Sequence, residues 1–115
     1  MASVQSTPII TNDSLLAGYQ WSLAAGDTGK PVAMGTFPDK TWQAMATFGS
    51  VTLRGSNKAV PDDTVSTDWF TLSNPQGSAL TLAAAGGSLI AENPLWISPI
   101  TTGGSGYTIA VVGTK

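Results

Sequence analysis

Side-chain chemistry in this chain would have to begin from its carboxylates: Asp62, Asp63 and Asp68 in one short stretch, and Glu92 standing apart before Asn93-Pro94. Three clustered carboxylates offer the oxygen ligands that a hard cation such as Ca²⁺ prefers. The spacing does not follow an EF-hand loop, and the glycine needed at its sharp turn is missing, so solvated loop carboxylates and no metal site are expected. Glu92 with one aspartate would be the minimum for two-carboxylate glycoside hydrolysis. Isolated beside Asn93-Pro94, Glu92 reads instead as a turn residue. The segment Gly26-Asp27-Thr28-Gly29-Lys30-Pro31 resembles a phosphate-binding loop in placing glycine before lysine. A true loop of that kind has four residues between its glycines and a hydroxyl residue after the lysine. Two residues intervene here and proline follows, so no nucleotide cofactor is expected.

The rest of the reactive inventory is thin. There is no histidine and no cysteine, which removes the commonest general base, the thiolate nucleophile and the usual zinc ligands. No Gly-x-Ser-x-Gly elbow is present to activate a serine. A non-enzymatic protein without cofactor is therefore expected. Only 10% of residues are charged, five basic and seven acidic, against 42% hydrophobic. That is far below the roughly 25% charge of ordinary domains. With no basic patch, neither nucleic acid nor an anionic membrane surface is an expected partner. No stretch approaches the ~18 apolar residues of a membrane span. The start has neither the basic residues nor the apolar core of a secretion signal, which predicts synthesis in a cytoplasm. It also makes the Asn12-Asp13-Ser14 glycosylation pattern a chance match.

The elements behind these residues read as strands. Residues 42–48 alternate Trp42, Ala44, Ala46 and Phe48 against Gln43, Met45 and Thr47, the period-two pattern of a half-buried strand. Val51 and Leu53 resume the alternation one position out of step, so a β-bulge or sharp bend at Gly49 is predicted to return Phe48, Val51 and Leu53 to one core. Residues 19–24 and 32–37 read as further strands, and 69–72 with 79–82 as a hairpin over the turn Asn74-Pro75-Gln76-Gly77. Residues 83–85 hint at a helical turn that Gly86-Gly87 stops, before strands over 88–91, 95–97 and 107–112. Short strands at near-regular spacing predict an all-β, antiparallel β-sandwich, jelly-roll-like, with an extended N-terminal arm. The arm is taken as residues 1–18 and the single sandwich domain as 19–115. Pro8, Ile9, Ile10, Leu15 and Leu16 are the arm's candidate contacts, through strand addition to a neighbouring subunit. Trp21, Trp42, Trp69 and Trp96 are expected mainly as core, with interface anchoring or stacking on sugar rings as the alternatives.

In order, Thr47-Phe48-Gly49-Ser50-Val51-Thr52-Leu53-Arg54-Gly55-Ser56-Asn57, the strand from Trp69 to Leu72, Asn74-Pro75-Gln76-Gly77 with Leu80, and Glu92, Ile97 and Pro99 resemble small head-decoration, or cement, proteins of tailed bacteriophages. The resemblance covers residues 26–112. The loop beginning Lys58-Ala59-Val60-Pro61 is longer than in those relatives. The resemblance implies a viral structural protein, made in the bacterial host cytoplasm and carried on the outer surface of the capsid. Its partners would be the major capsid protein and itself, as a dimer or trimer over local symmetry axes. Lys58, Asn74 and Gln76 join the arm as candidate capsid contacts. A carbohydrate-binding module and a tail or neck structural β-sandwich of a virion are the alternatives.

Overall fold

The computed structural model describes residues 2–10, 15–45, 49–104 and 106–115; Phe48 and the Asn12-Asp13-Ser14 triplet lie outside them. Apart from one 3-10 turn at Ser66–Asp68, the regular secondary structure of the described residues is all strand. The strands are β1 (Ser3–Val4), β2 (Thr7–Ile10), β3 (Leu16–Leu23), β4 (Thr28–Gly29), β5 (Val32–Ala33), β6 (Asp39–Met45), β7 (Ser50–Ser56), β8 (Phe70–Thr71), β9 (Thr81–Leu82), β10 (Gly86–Ile90), β11 (Trp96–Thr102) and β12 (Tyr107–Thr114). They form two facing sheets. One runs β10-β6-β12-β3-β2; the other runs β1-β4-β11-β7-β8, with β5 also on β11 and β9 also on β7. All pairings are antiparallel except β1 with β4. This is the expected all-β, jelly-roll-like sandwich.

Alternation sets which side chains meet between the sheets. On β6, Lys40, Trp42 and Ala44 are buried while Thr41 and Gln43 are exposed. Register then places Ile109 of β12 beside both Trp21 and Ala44, and Val111 beside Trp42. Opposite them, Val51, Leu53 and Ile97 complete a core in which Trp21, Met34, Leu72, Ile109 and Val111 are also fully buried. Burying such side chains is worth about 1.5–3 kcal/mol each, which is what offsets the ordering of so many short strands. Trp21 keeps its polar atom satisfied by donating its indole N–H to the Lys30 carbonyl at 3.1 Å.

Of the two predicted causes of the phase change at Gly49, a bulge or a sharp bend, the structure has the bend. β6 and β7 belong to different sheets, so Gly49 lies where the chain crosses from one to the other. A Cβ there would stand 2.3 Å from the Thr102 carbonyl oxygen, a close approach that only glycine permits. Gly86 and Gly87 likewise open β10 rather than stopping a helix, because Gly87 lies against the Trp42 backbone. Of the predicted 32–37 strand only Val32–Ala33 forms, and the Phe37 N–H turns back to the Met34 carbonyl.

The expected hairpin is pinched rather than ladder-like. Leu72 N–H donates to the Leu53 carbonyl, Leu53 N–H to Leu80, and Leu80 N–H to Leu72, so both arms lie along β7. The turn itself is as read: Gly77 N–H closes on the Asn74 carbonyl, with Gly77 at φ 86°. The N-terminal segment is extended and pairs within its own chain. Its β1 lies on β4 and its β2 on β3, so the sandwich begins at Ser3 and not at residue 19.

Candidate functional site

The outer face of the β4-β11-β7 sheet carries the densest polar chemistry. Register sets Arg54 beside Ser98 and, farther along, Ser3 beside Thr28. These would be water-exposed but for residues 57–69, which fold back over them. Within that loop, Asp62 accepts from Thr64 through both amide and hydroxyl, Asp68 accepts the Asp62 N–H at 3.0 Å, and Lys58 pairs with Asp68 at 3.0 Å. Beneath it Asp63, only 7% exposed, accepts the hydroxyls of Ser3 and Thr28. Arg54 donates to the Asp63 carbonyl at 3.1 Å and to Ser98 at 2.8 Å, and Trp69 lies over the guanidinium at 4.9 Å. The Trp69 N–H holds the loop backbone through the Asp62 carbonyl.

The three aspartates are thus not one solvated group. Asp62 is exposed and Asp68 half-buried against Lys58, and both are held below the usual carboxylate range: Asp62 first by the Thr64 hydroxyl, Asp68 first by the Asp62 amide. Asp63 is buried, because the loop needs an acceptor for two hydroxyls that the sheet leaves under cover. Burial lowers the Arg54 pKa, partly opposed by the Asp63 charge, and its Nε has no partner. Among the described residues, no three of Asp, Glu, His or Cys gather as metal ligands. The cluster's chemistry is that of a pin: it fixes the loop and ties it to β1.

Two further polar groups do similar work. Glu92 accepts the Ser73 N–H at 2.8 Å and its hydroxyl at 2.5 Å. Burial pushes the Glu92 carboxyl up, but these hydrogen bonds outweigh it and the pKa lies below 4.5. Lys40 is buried and gives its ammonium to the Phe37 carbonyl and Asn93; burial lowers its pKa, with Asp39 partly opposing. Thr28 and Gly29 of the glycine-lysine segment form β4, with the Thr28 hydroxyl committed to Asp63.

The feature that looks outward is apolar. Ala33, Gly35, Thr36, Ala59, Leu95 and Trp96 line a groove of about 390 Å³. Leu95 is 49% exposed, and Val60, next to Ala59 at the loop tip, is 82% exposed. The groove is held by hydrogen bonds on both sides of Leu95: Met34 N–H donates to the Leu95 carbonyl, and Leu95 N–H to the Asn57 side-chain Oδ1. Of the four tryptophans, Trp21 and Trp42 are core, Trp69 covers Arg54, and Trp96 alone lines this groove.

The residues singled out from sequence fall in three separate places. Pro8, Ile9, Ile10, Leu15 and Leu16 lie at the β2-β3 edge, where Ile9 and Leu15 are exposed and Ile10 packs toward Gly18. Lys58 sits on the covering loop, paired to Asp68. Asn74 accepts the Gln76 and Ser78 N–H groups and so shapes the turn from which Gln76 projects. Sequence reasoning missed Val60, Leu95 and the buried set of Arg54, Asp63 and Ser98. Val60-Pro61 beside a strand end was the available signal for the first; nothing local marked the others.

No protein-family model matches the sequence, and no curated protein matches it. Solved structures do match in fold. A cupin domain from Bordetella pertussis Tohama I superposes with a TM-score of 0.57 at 14% identity, over 99% of this chain and 95% of that one. A double-stranded β-helix domain protein from Klebsiella pneumoniae gives 0.54 at 12%, over 97% and 73%. A cupin superfamily protein from Desulfitobacterium hafniense gives 0.53 at 11%, over 97% and 77%. Barrels of this kind either fill their interior or enclose a ligand cavity. Here Trp21, Met34, Leu53, Ile97 and Ile109 fill it. Imidazole and thiolate, the usual transition-metal ligands, are absent from the chain, and no carboxylate belongs to the core cluster between the sheets, so the residues there do not fit such an ion.

Proposed function

We propose that this chain is a non-enzymatic head-decoration protein of a tailed bacteriophage, which binds the outer surface of the assembled capsid and stabilises it. The observation that carries the reading is the exposed apolar tip. Val60 and Leu95 are exposed on a protein with few charges, beside a groove that half-buried Trp96 lines and hydrogen bonds hold in shape. Exposed apolar surface of this sort marks a protein contact. The sequence resemblance from Thr47 to Pro99 supports the same reading, as does an interior filled with side chains. A ligand that binds only the assembled shell stabilises it by mass action, and repeated docking on a lattice adds avidity. The test mixes purified protein with shells lacking it. Saturable binding at symmetry-related sites with raised heat resistance is expected, and Val60→Asp should weaken it at least roughly tenfold. No binding by the unaltered protein would overturn the proposal.

Trp96 favours a second reading, a carbohydrate-binding module, because it is the tryptophan set in an open groove. Sugar titrations that quench tryptophan fluorescence, and fail to do so in Trp96→Ala, would select it.

A further inference from the structure

We infer that two copies of this chain associate through β10, edge to edge, across a two-fold axis at Ser88. A strand at a sheet edge presents unpaired N–H and C=O groups, and proteins ordinarily blunt such edges by shortness, charge, proline or a bulge. The other edges of this sandwich are blunted. β2 carries Pro8 and a register shift, and β1, β8 and β9 are two residues each. β10 has none of these devices. Its sequence is Gly86-Gly87-Ser88-Leu89-Ile90, it pairs in unbroken register with β6, and no strand covers its other side among the described residues, although just past it the Ala91 N–H donates to the Ser73 carbonyl.

Its outer face is self-complementary in shape. Leu89 stands on that face, 56% exposed, opposite Thr41. Two residues earlier Gly87 has no side chain, and a hollow of about 420 Å³ opens there, lined by Thr41, Gln43, Gly86, Gly87, Ala110 and Val112. Antiparallel pairing centred on Ser88 sets Gly86 opposite Ile90 and Gly87 opposite Leu89 of the second copy. Each Leu89 then lies at the other copy's hollow, and both contacts form together, as an isologous interface requires. The hollow is lined by no charged side chain, so no like charges face each other inside it. The joined five-stranded sheets would make one continuous sheet.

The inference deepens the decoration reading, which expects a small oligomer, and it is tested without shells so that the two can fail separately. Sedimentation of the purified full chain from about 1 to 100 µM should show a species of twice the 11.8 kDa chain mass. Leu89→Lys should weaken association at least about tenfold while leaving the unfolding transition of the dilute protein unchanged, since Leu89 is exposed in the single chain. Amide exchange within residues 86–90 should slow as concentration rises in the unaltered protein and not in the variant. A monomer throughout, a trimer, or a dimer that Leu89→Lys leaves intact would overturn the inference.

Discussion

Replacing Asp63 by alanine is the sharpest test of how the outer loop is held. The carboxylate accepts two hydroxyls, from Ser3 and Thr28, and Thr28 is fully buried. Hydrogen bonds to a charged group contribute about 1.5–3 kcal/mol each, and a buried hydroxyl left without a partner costs about 1–3 kcal/mol. Ser3 is only half-buried and can turn to water, so its loss counts at the low end. Arg54 keeps Ser98 and the residue 63 carbonyl but loses the nearby negative charge. Together these give a destabilisation of about 3 kcal/mol, a large part of the 5–15 kcal/mol typical of a domain. For a chain of this size that lowers the melting temperature by roughly 10 °C. Asp63→Asn keeps an acceptor oxygen and should lose about half as much. Scanning calorimetry measures both, and amide exchange at Thr28 and Lys30, which donate to Ala2 and Val4, should quicken as β1 loosens. A calorimetric loss under about 0.5 kcal/mol for Asp63→Ala would refute the pin.

Glu92 predicts part of the acid limb of stability. Its folded pKa lies below the ordinary 4.5, so the stability it contributes is fully present above that value and is lost as pH falls through the lower folded one. Asp62 and Asp68 are shifted the same way and persist in both proteins, so melting curves of unaltered and Glu92→Gln protein should converge as pH drops below about 4.5; parallel curves would remove Glu92 from the limb. Gly55→Ala should cost about 1–3 kcal/mol in urea unfolding, because the new Cβ would come within 2.7 Å of Leu72 and Pro94, both buried without slack. At Gly86 the nearest atom would be 3.7 Å away, so Gly86→Ala should change stability by less than about 0.5 kcal/mol.

What could be read in advance divides along the range of the forces involved. The strand of Trp42 and Ala44 was legible because alternation is a local property that survives any tertiary arrangement. The turn at Asn74 was legible because proline fixes its own φ and glycine admits the positive φ that the turn needs. The phase change at Gly49 was visible, but not whether a bulge or a bend made it: a bulge and a change of sheet leave the same mark in a linear pattern. The fate of Asp63 was wholly illegible. Its partners lie 60 and 35 residues away, on strands whose adjacency only the finished sheet defines. Lys40 precedes the alternating stretch read as strand, so neither its inward place on β6 nor its partner Asn93 was legible. For the candidate site, Trp96 could be listed but not chosen from four tryptophans, because exposure depends on which strand face the covering loop leaves open.

The buried polar pin and the exposed apolar tip are two ends of one loop. Asp63 and Trp69 fasten the loop to the sheet, and Ala59 and Val60, a few residues earlier, project beside Leu95. An apolar side chain held 82% exposed gains nothing for folding, and under the proposed function it would contribute through a contact with the shell. Under that proposal, preorganising the contact would lower the ordering cost of binding and give the buried charges a role beyond stability. The consequence separates two kinds of variant. Val60→Asp should weaken shell binding and leave the melting temperature near its original value, whereas Asp63→Ala should lower both, because it frees the loop that carries Val60. Binding unchanged in Asp63→Ala at a temperature where the chain stays folded would show that pin and tip act independently.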